Sequence, residues 1–218
     1  MAAVGSFGDL LASTDLVLVA APAELDEPGP IPRNVMYAGP LFEGPGEDAG
    51  WRPPPGDAPL VAVSVGTAGD PAGEASLLER IVTALRRLPV RAVVTLPAYL
   101  EPGALPATEN VVLCGYVRHS ALLPHARLLV THAGLGSVVA GLAHGVPMVC
   151  LPLAREQPDN ARAVARLGAG TVLDPRAQPE TIASAVEQAL ATAAPVKIEP
   201  DPGPAVAAVE ALATGGPR

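Results

Sequence analysis

The chain has 218 residues, enough for one large domain or a domain plus part of another. Its apolar fraction of 49% is aliphatic, with only 3% aromatic residues, and its blocks of Ala, Val and Leu favour helices packed on buried parallel strands. With 14 basic against 22 acidic residues the net charge is -8; this argues against broad binding to nucleic acid or anionic membranes, but not against a phosphate held by backbone N–H groups.

Residues 5–14 read as a short helix and 15–20 as a strand. A Pro-rich path leads to a second short strand at 35–38, and the run WRPPPGDAP at 51–59 is a stiff linker by composition. One helix and two strands cannot bury their own apolar faces, so residues 1–58 read as the remnant of a preceding domain plus a linker. From Leu60 the pattern is regular. Strands are expected at 60–66, 90–96, 111–114, 127–132, 146–151 and 171–173, with helices at 74–88, 135–144, 158–167 and 179–191. This alternation predicts an α/β fold over residues 59–195, a doubly wound parallel sheet of Rossmann-like type. Residues 196–218 are expected to cross the surface and end in a helix at 205–213 and a frayed tail.

Cys114 and Cys150 each end an expected buried strand. They form no metal-ligand pattern and no disulfide framework, which fits a reducing compartment. No basic stretch followed by an apolar run marks a leader, and no apolar run approaches the roughly 18 residues of a spanning helix. The expected location is cytoplasmic, with no transmembrane segment.

Four turns carry the candidate chemistry. In Ser64-Val65-Gly66-Thr67, Gly66 permits close backbone approach and Thr67 offers a hydroxyl to a phosphate or sugar oxygen. His132-Ala133-Gly134-Leu135-Gly136-Ser137 opens a helix whose free N–H groups and dipole favour an anion. There Gly134 and Gly136 keep bulk away from a diphosphate, Ser137 offers a hydroxyl or a cap, and His132 offers a hydrogen bond to a phosphate oxygen. The same residues also read as an ordinary capped helix. Arg155-Glu156-Gln157-Pro158-Asp159-Asn160 sets a carboxylate beside an amide, a pair suited to sugar hydroxyls that both donate and accept. Glu156 and Gln157 are assigned to the ligand, and Asp159 and Asn160 to the helix start, where Pro158 fits the first turn. Gly115-Tyr116-Val117-Arg118-His119 reads alone as a surface loop; its backbone suits a base edge, with Tyr116 or Arg118 stacking or covering. His125 and His144 read as structural, His144 in the last turn of a helix where a cation is favoured. In a parallel sheet such turns share the carboxyl edge, so His132, Glu156 and Gln157 are expected to face one crevice.

The segments VSVGT, GYV, LLPHA, THAGLGS, HGVPMVCLP and EQPDN, in this order, resemble the second half of nucleotide-sugar glycosyltransferases of the GT-B fold. The likeness is greatest to family 1 enzymes of bacteria that glycosylate macrolides and other natural products. It spans residues 14–192, and IPRNVMYAGP matches the stretch that joins the two domains in that family. The resemblance implies a donor-binding, C-terminal domain that uses no metal and no cofactor, with a UDP- or TDP-sugar as co-substrate and inverting displacement. Gly66 and Thr67 would approach the diphosphate or donor sugar, and Val117 would meet the base through its backbone. His132 would bind the diphosphate with the backbone of Gly134, Gly136 and Ser137, while Glu156 and Gln157 would hold sugar hydroxyls.

The chain departs from the family at Ala133, where a second glycine usually follows the histidine, and at Ala140, where many members carry a ribose-binding glutamate. The family's catalytic histidine sits in an acceptor-binding domain, so no residue of this chain is assigned as general base. Two readings follow. One is the donor-binding portion of a glycosyltransferase, with an acceptor-domain partner. The other is a non-catalytic nucleotide-sugar-binding or assembly subunit of a split enzyme. A transferase of lipid-linked cell-wall sugars, which has a similar second domain, is a third. No nucleic-acid partner is expected.

Overall fold

The computed structural model describes residues 6–39, 51–66, 71–101, 103, 105, 108–199 and 201–215. The chain divides into two compact units, residues 1–41 with 199–218, and residues 42–198.

In the first unit α1 (Phe7–Ala12) is capped by Ser6, whose Oγ accepts the Asp9 N–H at 3.1 Å. Two short strands, β1 (Val17–Val19) and β2 (Val35–Tyr37), pair in parallel. Asn34 joins helix to strand, its Nδ2 donating to the carbonyls of Leu11 at 2.8 Å and Thr14 at 3.1 Å.

The second unit is the six-stranded parallel sheet that the alternation predicts. Its strands are β3 (Leu60–Ser64), β4 (Arg91–Thr95), β5 (Val111–Cys114), β6 (Leu128–Thr131), β7 (Met148–Cys150) and β8 (Gly170–Val172), in the order β5-β4-β3-β6-β7-β8. Its helices are α2 (Pro71–Leu85), α3 (His119–Leu122), α4 (Leu135–His144), α5 (Gln157–Arg166) and α6 (Pro179–Thr192). The central strands β3, β6 and β7 are buried at every position, which is why they read as unbroken apolar runs. Val61, Val63 and Val65 share one core with Leu77, Ile81 and Leu85 of α2 and Ile182 and Val186 of α6. On α4, Gly141 lies so close to β7 that a Cβ there would sit 2.8 Å from the Met148 sulfur.

The chain builds outward from β3 to β5, returns to the middle at β6, and builds outward again to β8. The reversal point is the gap between the carboxyl ends of β3 and β6, where open α/β sheets bind ligands.

Several boundaries differ from the expected ones. Three strands end before the expected apolar runs do: Val65, Leu96 and Leu151 are buried just beyond the last strand positions, and the N–H groups of Leu96 and Leu151 still donate to the carbonyls of Cys114 and Thr131. Helix α2 begins at Pro71 rather than at 74. The segment after Val117 is not only a loop: α3 runs into a 3-10 turn at Leu123–His125, drawn inward by buried Leu122 and Leu123. The Pro-rich linker is pinned to the sheet, since Arg91 Nε donates to the Ala58 carbonyl at 2.8 Å and its guanidinium also reaches the Pro54 carbonyl. Trp51 gives His125 a partner that the sequence does not show, with ring centroids 6.0 Å apart. The last helix, α7 (Gly203–Ala213), belongs to the first unit and leaves Val206, Val209 and Leu212 exposed.

At the β7–β8 pair a Cβ on Gly170 would fall 2.2 Å from the Met148 carbonyl oxygen. Gly170→Ala should therefore force the two strands apart and cost about 1–3 kcal/mol, read as a lower urea midpoint.

Candidate functional site at the carboxyl edge

Ser64 at the end of β3 is in register with Thr131 at the end of β6, so the turns after these strands meet. His132 follows immediately and is only 7% exposed. The Thr131 hydroxyl oxygen lies 3.5 Å from His132 Nδ1 and accepts the Ala133 N–H at 3.2 Å. Two of the glycines singled out for phosphate approach also lie against the His132 ring. A Cβ on Gly66 would stand 2.7 Å from His132 Nε2, and one on Gly134 2.7 Å from Cε1 and 2.8 Å from Nε2. Gly66 and Gly134 thus form the slot that admits the imidazole, and Gly66 adds a backbone φ of 88° that a side chain would resist. Gly136 is different: a Cβ there meets nothing within 4 Å, so its side of the helix start faces open space. Thr67 lies outside the described residues.

Gly134 is the N-cap of α4 and, lacking a side chain, makes no side-chain cap bond. The first intrahelical bond runs from Val138 N–H to the Gly134 carbonyl, and among the described residues the amides of residues 135–137, at the start of the helix, have no hydrogen-bond partner. Ser137 is buried in this first turn, and its Oγ lies 3.5 Å from His119 Nε2. The segment after β5 therefore returns to α4 although β5 is the outermost strand. Within it the Val117 side chain is buried and Tyr116 is 72% exposed.

On the neighbouring turn, after β7, Glu156 is exposed and Gln157 is buried. Gln157 Oε1 accepts the N–H groups of Leu153 at 2.8 Å and Ala154 at 3.1 Å, so its carbonyl shapes the turn. Asn160 Nδ2 donates to the Ala133 carbonyl at 3.0 Å and fastens this turn to the His132 turn. Asp159 pairs with Arg162 on the surface. Among the described residues, Ala133 (φ 64°) and Arg155 (φ 58°) are the non-glycine residues with positive φ. Each adjoins a candidate ligand residue, His132 or Glu156, and unfavourable backbone of this kind gathers at ligand clamps.

Burial pushes the His132 pKa down, while the charge of Glu74, the Ser64 carbonyl and the charge of Glu156 push it back up. His132 and Glu156 thus lie on one edge within electrostatic reach. Glu74 is a participant that the sequence reading missed. It lies in the first turn of α2, is 1% exposed, and accepts a hydrogen bond at Oε2 from the Tyr99 hydroxyl. The available signal was its place, an acid opening the helix after the VSVGT strand, but an acid in a first turn ordinarily serves the helix dipole. His119 is pushed below its ordinary value by burial and then by the charge of His144, and His144 by burial and then by Lys197. Among the described residues no group of three or more His, Cys, Asp or Glu side chains is arranged to hold a metal, and no helix is long and apolar enough to cross a membrane.

The profile of the UDP-glucoronosyl and UDP-glucosyl transferase family matches residues 3–194. The chain belongs to this family. Within it, 4'-demethylrebeccamycin synthase of Lentzea aerocolonigenes is 34% identical over 177 residues, which cover 79% of this chain and 41% of that protein. Demethyllactenocin mycarosyltransferase of Streptomyces fradiae is 34% identical over 157 residues, covering 66% of this chain and 34% of its own. The crystal structure of CalG4, the calicheamicin glycosyltransferase, superposes with a TM-score of 0.72 at 30% identity, covering 91% of this chain and 52% of CalG4. The chain thus matches the C-terminal half of bacterial natural-product glycosyltransferases and spans about half or less of their length. Its sheet is that of a GT-B domain.

Two outcomes are expected. Ala133→Gly should relieve the left-handed backbone and raise stability, by up to about 1 kcal/mol in urea unfolding. Because His119, His132 and His144 all titrate below the usual 6.5 when folded, the unfolded chain binds more protons in the window beneath that value. Stability should be level above about pH 6.5 and fall as pH drops toward the folded pKa values, which urea midpoints at about pH 7.5 and about pH 5.5 would show.

Proposed function

We propose that residues 59–195 form the donor-binding domain of a nucleotide-sugar glycosyltransferase with a small-molecule, natural-product acceptor. Residues 1–58 are then the end of the acceptor-side domain plus linker, and 196–218 a returning segment and tail. The supporting observation is the joining of the two turns by the Asn160–Ala133 bond, with an uncapped helix start and a buried imidazole on one side and Glu156 on the other.

The diphosphate of a UDP- or TDP-sugar binds across the start of α4. The open side of Gly136 gives it room, the amides of residues 135–137 and the Ser137 hydroxyl donate to it, and His132 adds a hydrogen bond. These donors are fixed before reaction. They therefore stabilise the charge that grows on the leaving nucleoside diphosphate as the anomeric bond breaks, without a metal. Glu156 accepts from sugar hydroxyls. Gln157 contributes its amide nitrogen, because its carbonyl is committed to the turn. The backbone at Val117 lies beside the base, with the exposed Tyr116 ring to cover it. The catalytic base and the acceptor site come from residues other than these 218, so transfer needs an acceptor-domain partner.

A second reading, a non-catalytic nucleotide-sugar-binding or assembly subunit, draws on one observation: Ala140 is a buried apolar residue in α4, with no carboxylate for a ribose.

Calorimetric titration with UDP, TDP and their sugars tests the proposal. Saturable binding is expected, with His132→Ala weakening it by about 1.5–3 kcal/mol, the worth of a charge-assisted hydrogen bond. Absence of saturation at millimolar ligand would remove the donor-binding reading. Binding without transfer when an acceptor-domain chain is supplied would favour the non-catalytic one.

A further inference from the structure

We propose that His119 is a positioning residue of the donor site: its ring nitrogen Nε2 donates to the Ser137 hydroxyl oxygen, which leaves the Ser137 hydrogen to be given to a diphosphate oxygen. The inference rests on the reading that a nucleoside diphosphate binds at the start of α4, and it adds a residue and a fixed proton position which that reading lacks.

Two segments from distant strands meet at this contact. β5 is the outer strand, with β4 and β3 between it and β6. The chain leaving β5 nevertheless returns to α4, against which α3 packs. His119 opens α3, and buried Leu122 and Leu123 anchor the residues that follow it. His119 Nε2 lies 3.5 Å from Ser137 Oγ. Among the described residues this ring is the hydrogen-bond partner of the Ser137 side chain, although a serine within a helix commonly turns back to a carbonyl of the preceding turn. The contact is long, and contacts of this kind tighten when a ligand engages the group. Ser137 is only 6% exposed, so bulk water does not readily take the place of the ring.

Hydrogen count decides the direction of the bond. A hydroxyl carries one hydrogen and a neutral imidazole one N–H. Burial, and then the charge of His144, holds the His119 pKa below its ordinary value, so near neutral pH the ring is neutral and its single hydrogen sits on one nitrogen or the other. With that hydrogen on Nδ1, Nε2 accepts from Ser137, and the hydroxyl turns only lone pairs toward an anion. With it on Nε2, the ring donates to Oγ and the Ser137 hydrogen is left for another acceptor. The second arrangement is the one that suits a diphosphate lying across the amides of residues 135–137. A hydroxyl that accepts one bond while donating another is also the stronger donor. His119 follows closely on Val117, the residue assigned to the base, so the same contact ties the base side of the site to its phosphate side.

The test uses the 218-residue chain. Binding of UDP, TDP and the matching nucleosides is measured for wild type, His119→Ala, His119→Gln, Ser137→Ala and the double alanine variant, with urea midpoints to confirm folding. Glutamine keeps an N–H donor at similar reach. His119→Ala is expected to weaken the diphosphate about three- to tenfold, the worth of one hydrogen bond. The nucleoside should stay within about twofold of wild type, His119→Gln should restore the diphosphate to within about twofold, and His119→Ala should have no further effect once Ser137 is alanine. Long-range proton–nitrogen NMR of wild type saturated with the diphosphate should find the His119 hydrogen on Nε2. Equal losses for nucleoside and diphosphate, or an undiminished loss from His119→Ala in the Ser137→Ala background, leave His119 a packing residue and overturn the proposal. A bare Nε2 in the complex overturns it as well. Wild type that binds neither diphosphate overturns the nucleotide reading and the proposal with it, whereas wild type that binds, with affinity unchanged in His119→Ala, overturns the proposal alone.

Discussion

The room needed by one imidazole ring governs the geometry of the carboxyl edge. His132 lies against the end of β3, and the backbone at Gly66 and Gly134 passes so near it that a single added carbon at either position would overlap the ring. The close approach is possible because β3 and β6 are hydrogen-bonded neighbours, with Ser64 opposite Thr131. The turn that follows the ring delivers the start of α4 to the reversal point of the sheet, its first amides without a partner among the described residues. A buried ring, two missing side chains and an open helix end are thus one arrangement.

That arrangement carries strain and is held by few bonds. Ala133 adopts a left-handed backbone that favours glycine, and Arg155 does the same on the next turn. The Asn160 amide takes the Ala133 carbonyl, the Thr131 hydroxyl takes its N–H, and the Gln157 carbonyl takes two amides of the turn after β7. Polar side chains thereby do for these two turns what ladder bonds do for strands, satisfying backbone groups that have no regular partner. The side chains assigned to a helix start and a sugar pocket share the work: Asn160 and the carbonyl of Gln157 are structural, while Glu156 stays exposed.

An overall excess of acid is compatible with the proposed anion site. The donors assigned to it are backbone amides, the Ser137 hydroxyl and one histidine, with no lysine or arginine among them. The charges of buried Glu74 and exposed Glu156 both push the His132 pKa up, against the larger effect of burial.

Much of this was legible in the sequence because it is local. Buried parallel strands read as apolar runs, helix starts as Gly, Ser and Pro signals, and the family likeness as ordered short motifs. The nearness of His132 to Glu156 also followed from chain order, since β6 and β7 are consecutive in sequence and adjacent in the sheet. Contacts between segments far apart in the chain did not follow. The clash of a Cβ at Gly66 with His132, the approach of His119 to Ser137, the ring contact of Trp51 with His125, and the burial of Glu74 beneath Tyr99 all depend on which strands become neighbours. Side-chain periodicity tells which face of an element is apolar, but it is silent on which other element that face will meet. The sequence by itself determined the elements and the kind of chemistry at their ends. The strand order β5-β4-β3-β6-β7-β8 decided which of those ends touch, because only packing brings β3 beside β6.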